Sequence, residues 1–129
     1  MPAPAATKYS WSTVPLEQVN PALSRRIVTG KEVMVAHVHL KAGCVVPRHH
    51  HVNEQVTYIL QGAMRLWVGD KVDSRSDADG IVLATGELLV IPSNVPHRAV
   101  ALEDTLDMDV FAPPREDWLN GTDDYLRRK

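Results

Sequence analysis

From Arg25 onward the chain is a succession of short runs rich in Val, Ile and Leu, each closed by Gly, Pro, Asn or Asp. The runs span residues 25–29, 33–40, 55–60, 63–68, 81–83, 88–91, 97–102 and 106–111. This is the strand-and-turn rhythm of an all-β domain. A closed barrel or jelly roll is expected, because either removes or shelters sheet edges that would otherwise pair with other chains. A parallel α/β fold is disfavoured: parallel pairing needs crossovers of about a dozen residues or more, and no gap between runs reads as a helix.

Around this antiparallel barrel, placed at residues 25–119, two appendages are expected. Residues 1–24, rich in Pro, Ala, Ser and Thr, read as an extended N-terminal arm with Trp11, Val14 and Leu16 as apolar anchors. Residues 120–129 read as a short C-terminal helix. Thr122 would cap it, with Asp123 and Asp124 in its first turn and Arg127, Arg128 and Lys129 in its last, matching the helix dipole at both ends. The tail is expected to pack on the outside of the barrel through Trp118, Leu119, Tyr125 and Leu126. The polar stretch 70–80 reads as a solvated hairpin loop, and no internal repeat is present.

At 129 residues the chain has the length of one domain. Its 14 Lys and Arg against 16 Asp and Glu leave a net charge of −2, so no basic excess exists to neutralise a phosphate backbone or an anionic membrane. Neither nucleic acid nor a membrane is expected as a partner. No apolar stretch approaches the ~20 residues that span a bilayer. The single cysteine, Cys44, has no intrachain partner, and the N-terminus lacks the cationic start and apolar run of a secretory signal, so a cytoplasmic setting is expected.

The chemistry lies in two segments. The first runs from Gly43 through His49-His50-His51 to Gln55 and Gly62. In extended chain alternate side chains share a face, so His49, His51 and Gln55 project together while His50 and Val52 point away. The second is an apolar strand, the turn Pro92-Ser-Asn94-Val-Pro96, and His97 at the start of the next strand. A barrel interior brings such sequence-remote, inward-facing residues together. His49, His51, Gln55 and His97 are thus candidate ligands for one divalent metal ion. Glu54 would replace Gln55 only if the strand shifted by one residue.

These segments resemble the paired motifs of the cupin superfamily: Gly, five residues, His-x-His, three or four residues, Glu, six residues, Gly; then Gly, five residues, Pro-x-Gly, two residues, His, three residues, Asn. Gly43, His49, His51, Gly62, Gly86, Pro92 and His97 keep that spacing, with Gln55 in place of Glu, Asn94 in place of Gly and Ala101 in place of Asn. Asn tolerates the left-handed conformation of a turn glycine. Gln55 changes more, because an amide brings no charge and leaves the ion its full +2. Ni, Zn, Mn, Co and Fe(II) all suit imidazole and amide donors. The ion would be a strong Lewis acid favouring an anionic substrate, and the missing carboxylate argues against iron–oxygen chemistry on a facial triad.

Gln55-Val-Thr-Tyr58 and the later Asp109-Val-Phe111-Ala-Pro-Pro-Arg115-Glu-Asp117 are similar to KdgF-type cupins, which convert 4,5-unsaturated uronates to open-chain keto forms. The resemblance implies metal-assisted ring opening and tautomerisation, with Asp109, Phe111 and Arg115 at functional positions. The residues agree. Asp107, Asp109 and Phe111 share one strand face and Leu106, Met108 and Val110 the other. Asp109 would move a proton between oxygen and carbon, and Arg115 would clamp the carboxylate of a small anionic substrate bidentately.

Simpler readings stand beside these. The histidines form either a metal site or a metal-free hydrogen-bonding cluster, and Asp109 and Arg115 are either site residues or ordinary surface charges. His37 and His39, sharing a face, line the pocket or lie on the surface. Cys44, Met64, Tyr58 and Trp67 read as packing residues. An iron-dependent dioxygenase and a non-catalytic ligand- or metal-binding module are the competing functions. Apolar residues expected to face outward, Val56, Tyr58, Leu60, Val100 and Leu102, predict a homodimer to which the N-terminal arm contributes.

Overall fold

The computed structural model describes residues 3–127. Among them are ten strands: β1 (Glu17–Asn20), β2 (Leu23–Thr29), β3 (Met34–Leu40), β4 (Val45–His49), β5 (Glu54–Gln61), β6 (Ala63–Val68), β7 (Ile81–Ala84), β8 (Leu88–Ile91), β9 (His97–Ala101) and β10 (Thr105–Ala112). Two short helices follow, α1 (Glu116–Asn120) and α2 (Asp124–Arg127). Six strands form one sheet in the order β1-β2-β3-β10-β5-β8, and four form a second in the order β4-β9-β6-β7. Every pairing is antiparallel.

The alternation written into the strands decides what faces inward. In β3, Met34, Ala36, Val38 and Leu40 are buried, and Val35, His37 and His39 lie on the outer face. Ile59, Leu66, Ile91 and Phe111 fill the space between the sheets. Burying each such side chain stabilises the fold by about 1.5–3 kcal/mol. β10 is central, paired with β3 on one side and β5 on the other, so its inner face sits in the middle of the interior. Two turn positions are demanding. Gly62, at φ +98°, would bring a Cβ to 2.5 Å from Asp104 O, and Asn94 adopts the left-handed φ of 62° expected from its amide side chain.

The sheets extend beyond the strands expected from sequence. β1 lies inside the arm assigned to residues 1–24, and β2 begins at Leu23. Only Val19 of β1 is buried, too little to make a period. β4 carries Pro47 and no clean alternation, as befits an edge strand whose proline has no N–H to donate. The 70–80 stretch does join a hairpin, but it is not wholly solvated. Val72 is buried, and Trp67 Nε1 donates to Ser76 O at 2.9 Å.

The C-terminal reading needs a larger correction. The tail is two helical turns, and the Thr122 hydroxyl donates to Asn120 Oδ1 at 2.6 Å instead of capping. Arg128 and Lys129 lie outside the described residues. Trp118 and Leu126 do not cover the outside of the barrel; they enter the core at its mouth, while Leu119 remains exposed. Asp123 fixes this arrangement, because its carboxylate meets the buried Arg25 guanidinium at 2.6 Å. No helix among the described residues is long and apolar enough to cross a membrane.

Candidate metal centre

β4 ends at His49, and its partner across the ladder is His97, the first residue of β9. Their ring centroids are 4.2 Å apart. His51, two residues further on, places its ring 5.5 Å from His49 and 5.1 Å from His97. One ligand atom from each of the three lies within 4.8 Å of the others. Gln55, the second residue of β5, brings Oε1 to 3.1 Å from His51 Nε2. Gln55 is buried and Glu54 exposed, which decides between the two for Gln55.

The ring orientations are fixed by the backbone. His49 Nδ1 meets Pro47 O at 2.8 Å, His51 Nδ1 meets Asn53 O at 2.9 Å and His97 Nδ1 meets Val95 O at 2.9 Å. A carbonyl oxygen only accepts, so each Nδ1 carries the ring proton and each Nε2 keeps a lone pair. Gln55 Nε2 donates to Thr57 Oγ1 at 2.8 Å, which turns its amide oxygen toward His51. Two lone pairs therefore confront each other across 3.1 Å. That arrangement repels unless a cation lies between. His97 Nε2, buried, has no hydrogen-bond partner. Burial, reinforced by neighbouring positive charge, holds His49 near pKa 3 and His51 near 4 and lowers His97 as well. The set is neutral at pH 7 and fits one divalent ion of the borderline class.

Behind the imidazoles lies an acidic relay. Thr57 Oγ1 donates to Asp109 Oδ1 at 2.8 Å, and Gln55 Nε2 approaches the same oxygen at 3.4 Å. Register explains the alignment: Gln55 opposes Phe111, and Thr57 opposes Asp109. Asp109 and Asp107 are both buried, and burial raises both carboxyl pKa values, Asp107 well above its usual range with Asp109 adding to the rise. Asp107 Oδ1 has no hydrogen-bond partner. An ion in this environment would be costly, so the pair retains a proton.

Asp109, Phe111 and Arg115 all line the chamber next to His49, Gln55 and His97. Phe111 packs edge-on against His51 at 5.8 Å. Arg115 departs from expectation. Its fork is already spent on Asp117, with Nε to Oδ1 at 2.9 Å and Nη2 to Oδ2 at 2.8 Å, so it is no free bidentate clamp. His37 and His39 lie on the outer face of the six-stranded sheet, away from the cluster; His37 stacks on Trp11 at 3.7 Å, and His39 lies beside Arg26. Thr57 and Tyr125 were not singled out for the site from sequence. Thr57 shares the parity of Gln55 and was within reach of the same argument. Tyr125, whose ring stacks on His49 at 4.3 Å, gives no local signal.

The fold agrees with comparison to known proteins. Residues 36–112 match the cupin domain, and the chain belongs to that family. KdgF from Halomonas sp. is 28% identical, with a TM-score of 0.77 over 88% of this chain and 99% of that one. An RmlC-like cupin from Shewanella frigidimarina NCIMB 400 is 25% identical, with a TM-score of 0.76 over 88% of this chain and 96% of that one. An oxalate decarboxylase variant from Bacillus subtilis shares the fold at 22% identity and a TM-score of 0.74, over 91% of this chain and 32% of that one. No curated protein matches the sequence.

Proposed function

We propose that this chain is a metal-dependent enzyme that opens and ketonises a 4,5-unsaturated uronate or a closely similar small anionic sugar acid. The observation that carries the reading is a buried carboxyl pair, Asp107 and Asp109, that holds a proton and is joined through Thr57 and Gln55 to a cluster of neutral donors. The likeness to KdgF at 28% identity supports the same class. His49, His51, Gln55 and His97 would hold the ion. When bound, a divalent ion supplies Lewis acidity at an oxygen of the substrate.

The chain's own residues supply the rest. Thr57 and Gln55 occupy Asp109 Oδ1, leaving Oδ2 to take up and pass on the proton that the Asp107–Asp109 pair holds. Ketonisation moves a proton from an enol oxygen to carbon. Asp109 can give its proton to the carbon and recover one from the enol hydroxyl, so that the carboxyl ends each cycle as it began. Phe111 and Trp118, their rings 5.0 Å apart, give the chamber an apolar wall. Arg115, 2% exposed and paired with Asp117, contributes positive charge at the chamber wall.

The test is the ultraviolet absorbance of 4,5-unsaturated galacturonate mixed with metal-loaded protein. Loss well above the spontaneous rate is expected, falling by about 10²–10⁴-fold in Asp109→Ala. Loss no faster than the spontaneous rate would remove the reading.

We also propose that two copies pair through the outer face of the six-stranded sheet. Leu88 and Val90 on β8 are each 58% exposed, and Val56, Tyr58 and Leu60 on the adjacent β5 extend the same apolar surface. Light scattering should give the mass of two chains; the mass of one would refute the pairing.

A further inference from the structure

The chamber beside the histidines is small. Its volume is about 50 Å³, against roughly 300 Å³ at the lower end for pockets that hold small-molecule ligands. Tyr125 forms part of its wall. Its ring stacks on His49 at 4.3 Å, and its hydroxyl oxygen accepts from Arg115 Nη2 at 2.8 Å and from Trp118 Nε1 at 3.3 Å. Arg115 is the one guanidinium lining the chamber among the described residues, and Asp117 already holds its fork. The phenol oxygen takes a further donor position on the same group.

The backbone around Tyr125 is pinned on both sides. Two residues before it, Asp123 is locked to Arg25 at 2.6 Å, both side chains being fully buried. One residue after it, Leu126 is 3% exposed, and its carbonyl accepts from Asn20 Nδ2 at 2.7 Å. Between these anchors Tyr125 is only partly buried. The part that can move is a single side chain. Turning the ring outward breaks its stacking on His49 and two hydrogen bonds, whereas moving the backbone would also break the fully buried Arg25–Asp123 pair.

We propose that the Tyr125 side chain is the door of this site and helps determine what enters it: its hydroxyl occupies Arg115 Nη2, a donor that an entering anion can take, and its ring covers His49. An anionic group entering the chamber replaces the phenol oxygen on Arg115, and the ring swings outward from the pinned backbone. A neutral acceptor only exchanges one neutral hydrogen bond for another, whereas an anion gains a charge-assisted one, so the door favours anions. This rests on the reading that the chamber admits an anionic ligand, and it names the residue that regulates entry.

The experiment labels histidines with diethylpyrocarbonate in the full-length chain without added metal, mapping each site by mass spectrometry. In the wild type His49 and His97 should react at least tenfold more slowly than the exposed His50. In Tyr125→Ala both should speed up tenfold or more, with His37 and His39 on the far face unchanged. Tyr125→Phe keeps the ring and removes only the hydroxyl, and His49 should react a few-fold faster. Unchanged His49 and His97 rates in Tyr125→Ala would overturn the proposal. Should His37 and His39 also accelerate there, Tyr125→Phe decides, and wild-type rates in it overturn the door. A second arm titrates the zinc-loaded protein with galacturonate, the saturated sugar acid. Tyr125→Phe should bind it a few-fold more tightly, having no phenol oxygen to displace, and equal or weaker binding would count against the exchange on Arg115. Failure of the uronate reading is separate, since it shows as absent turnover while the labelling pattern stands.

Discussion

His97→Ala is expected to weaken binding of a divalent ion by more than a hundredfold, measured by calorimetric titration of the metal-free protein. Loss of a partner that merely orients a ligand costs about 10–100-fold, and His97 is itself a donor. It is 3% exposed, its Nε2 has no other partner, and its ring is already turned inward by Val95 O. The same titration carries a pH signature. His49 is held near pKa 3 and His51 near 4 by burial, so neither ring binds a proton in the metal-free chain at pH 7 or at pH 5.5. A free imidazole would be largely protonated at the lower of these values. Ion binding should therefore take no proton from either of these two rings across this window. Release of two or more protons per ion at pH 5.5 would contradict the assignment.

The largest effect on stability is expected from Asp123→Ala. This carboxylate, 1% exposed, receives Arg25 Nη1 at 2.6 Å and Arg127 Nε at 2.8 Å. Arg25 is fully buried, already has Nη2 without a partner, and lies 4.3 Å over the Trp118 ring. Without Asp123 its charge has only the part-exposed Glu17 at 3.0 Å. Removing one partner of a buried pair costs about 3–5 kcal/mol, which for a domain of this size lowers Tm by about 10 °C or more. Arg127→Ala is the contrast. Its side chain is 31% exposed, and pairs of that kind are worth about 1 kcal/mol or less. Thermal denaturation of the two variants checks the difference. A loss of less than 1 kcal/mol in Asp123→Ala would mean that the tail is not held by this pair.

Period-two alternation carried much of the site. It placed Asp107, Asp109 and Phe111 on the inner face of β10, where the structure buries all three. It placed His49, His51 and Gln55 together, although His51 lies outside any strand and the β4–β9 register shifts between Val46 and His49. The same alternation also bears on His37 and His39. Ala36, Val38 and Leu40 form the apolar set of that strand, and an apolar set faces the core, so the histidines face out.

What alternation does not reach is contact between remote parts of the chain. Arg25 and Asp123 are 98 residues apart, and nothing near either one announces the other. Without that pair the tail reads as a surface appendage, which is why Trp118, Tyr125 and Leu126 were expected outside the barrel and not at its mouth. Arg115 shows a different limit. Its partner Asp117 is two residues away in plain view, yet whether a neighbouring carboxylate engages an arginine depends on rotamers that spacing does not set.

Anomalous diffraction from crystals grown with one equivalent of zinc gives the most direct test of the whole account. The account predicts a single strong peak per chain, within about 2.0–2.2 Å of the Nε2 atoms of His49, His51 and His97 and of Gln55 Oε1. A chain with no peak there, or with its ion on the outer face beside His37 and His39, would contradict it.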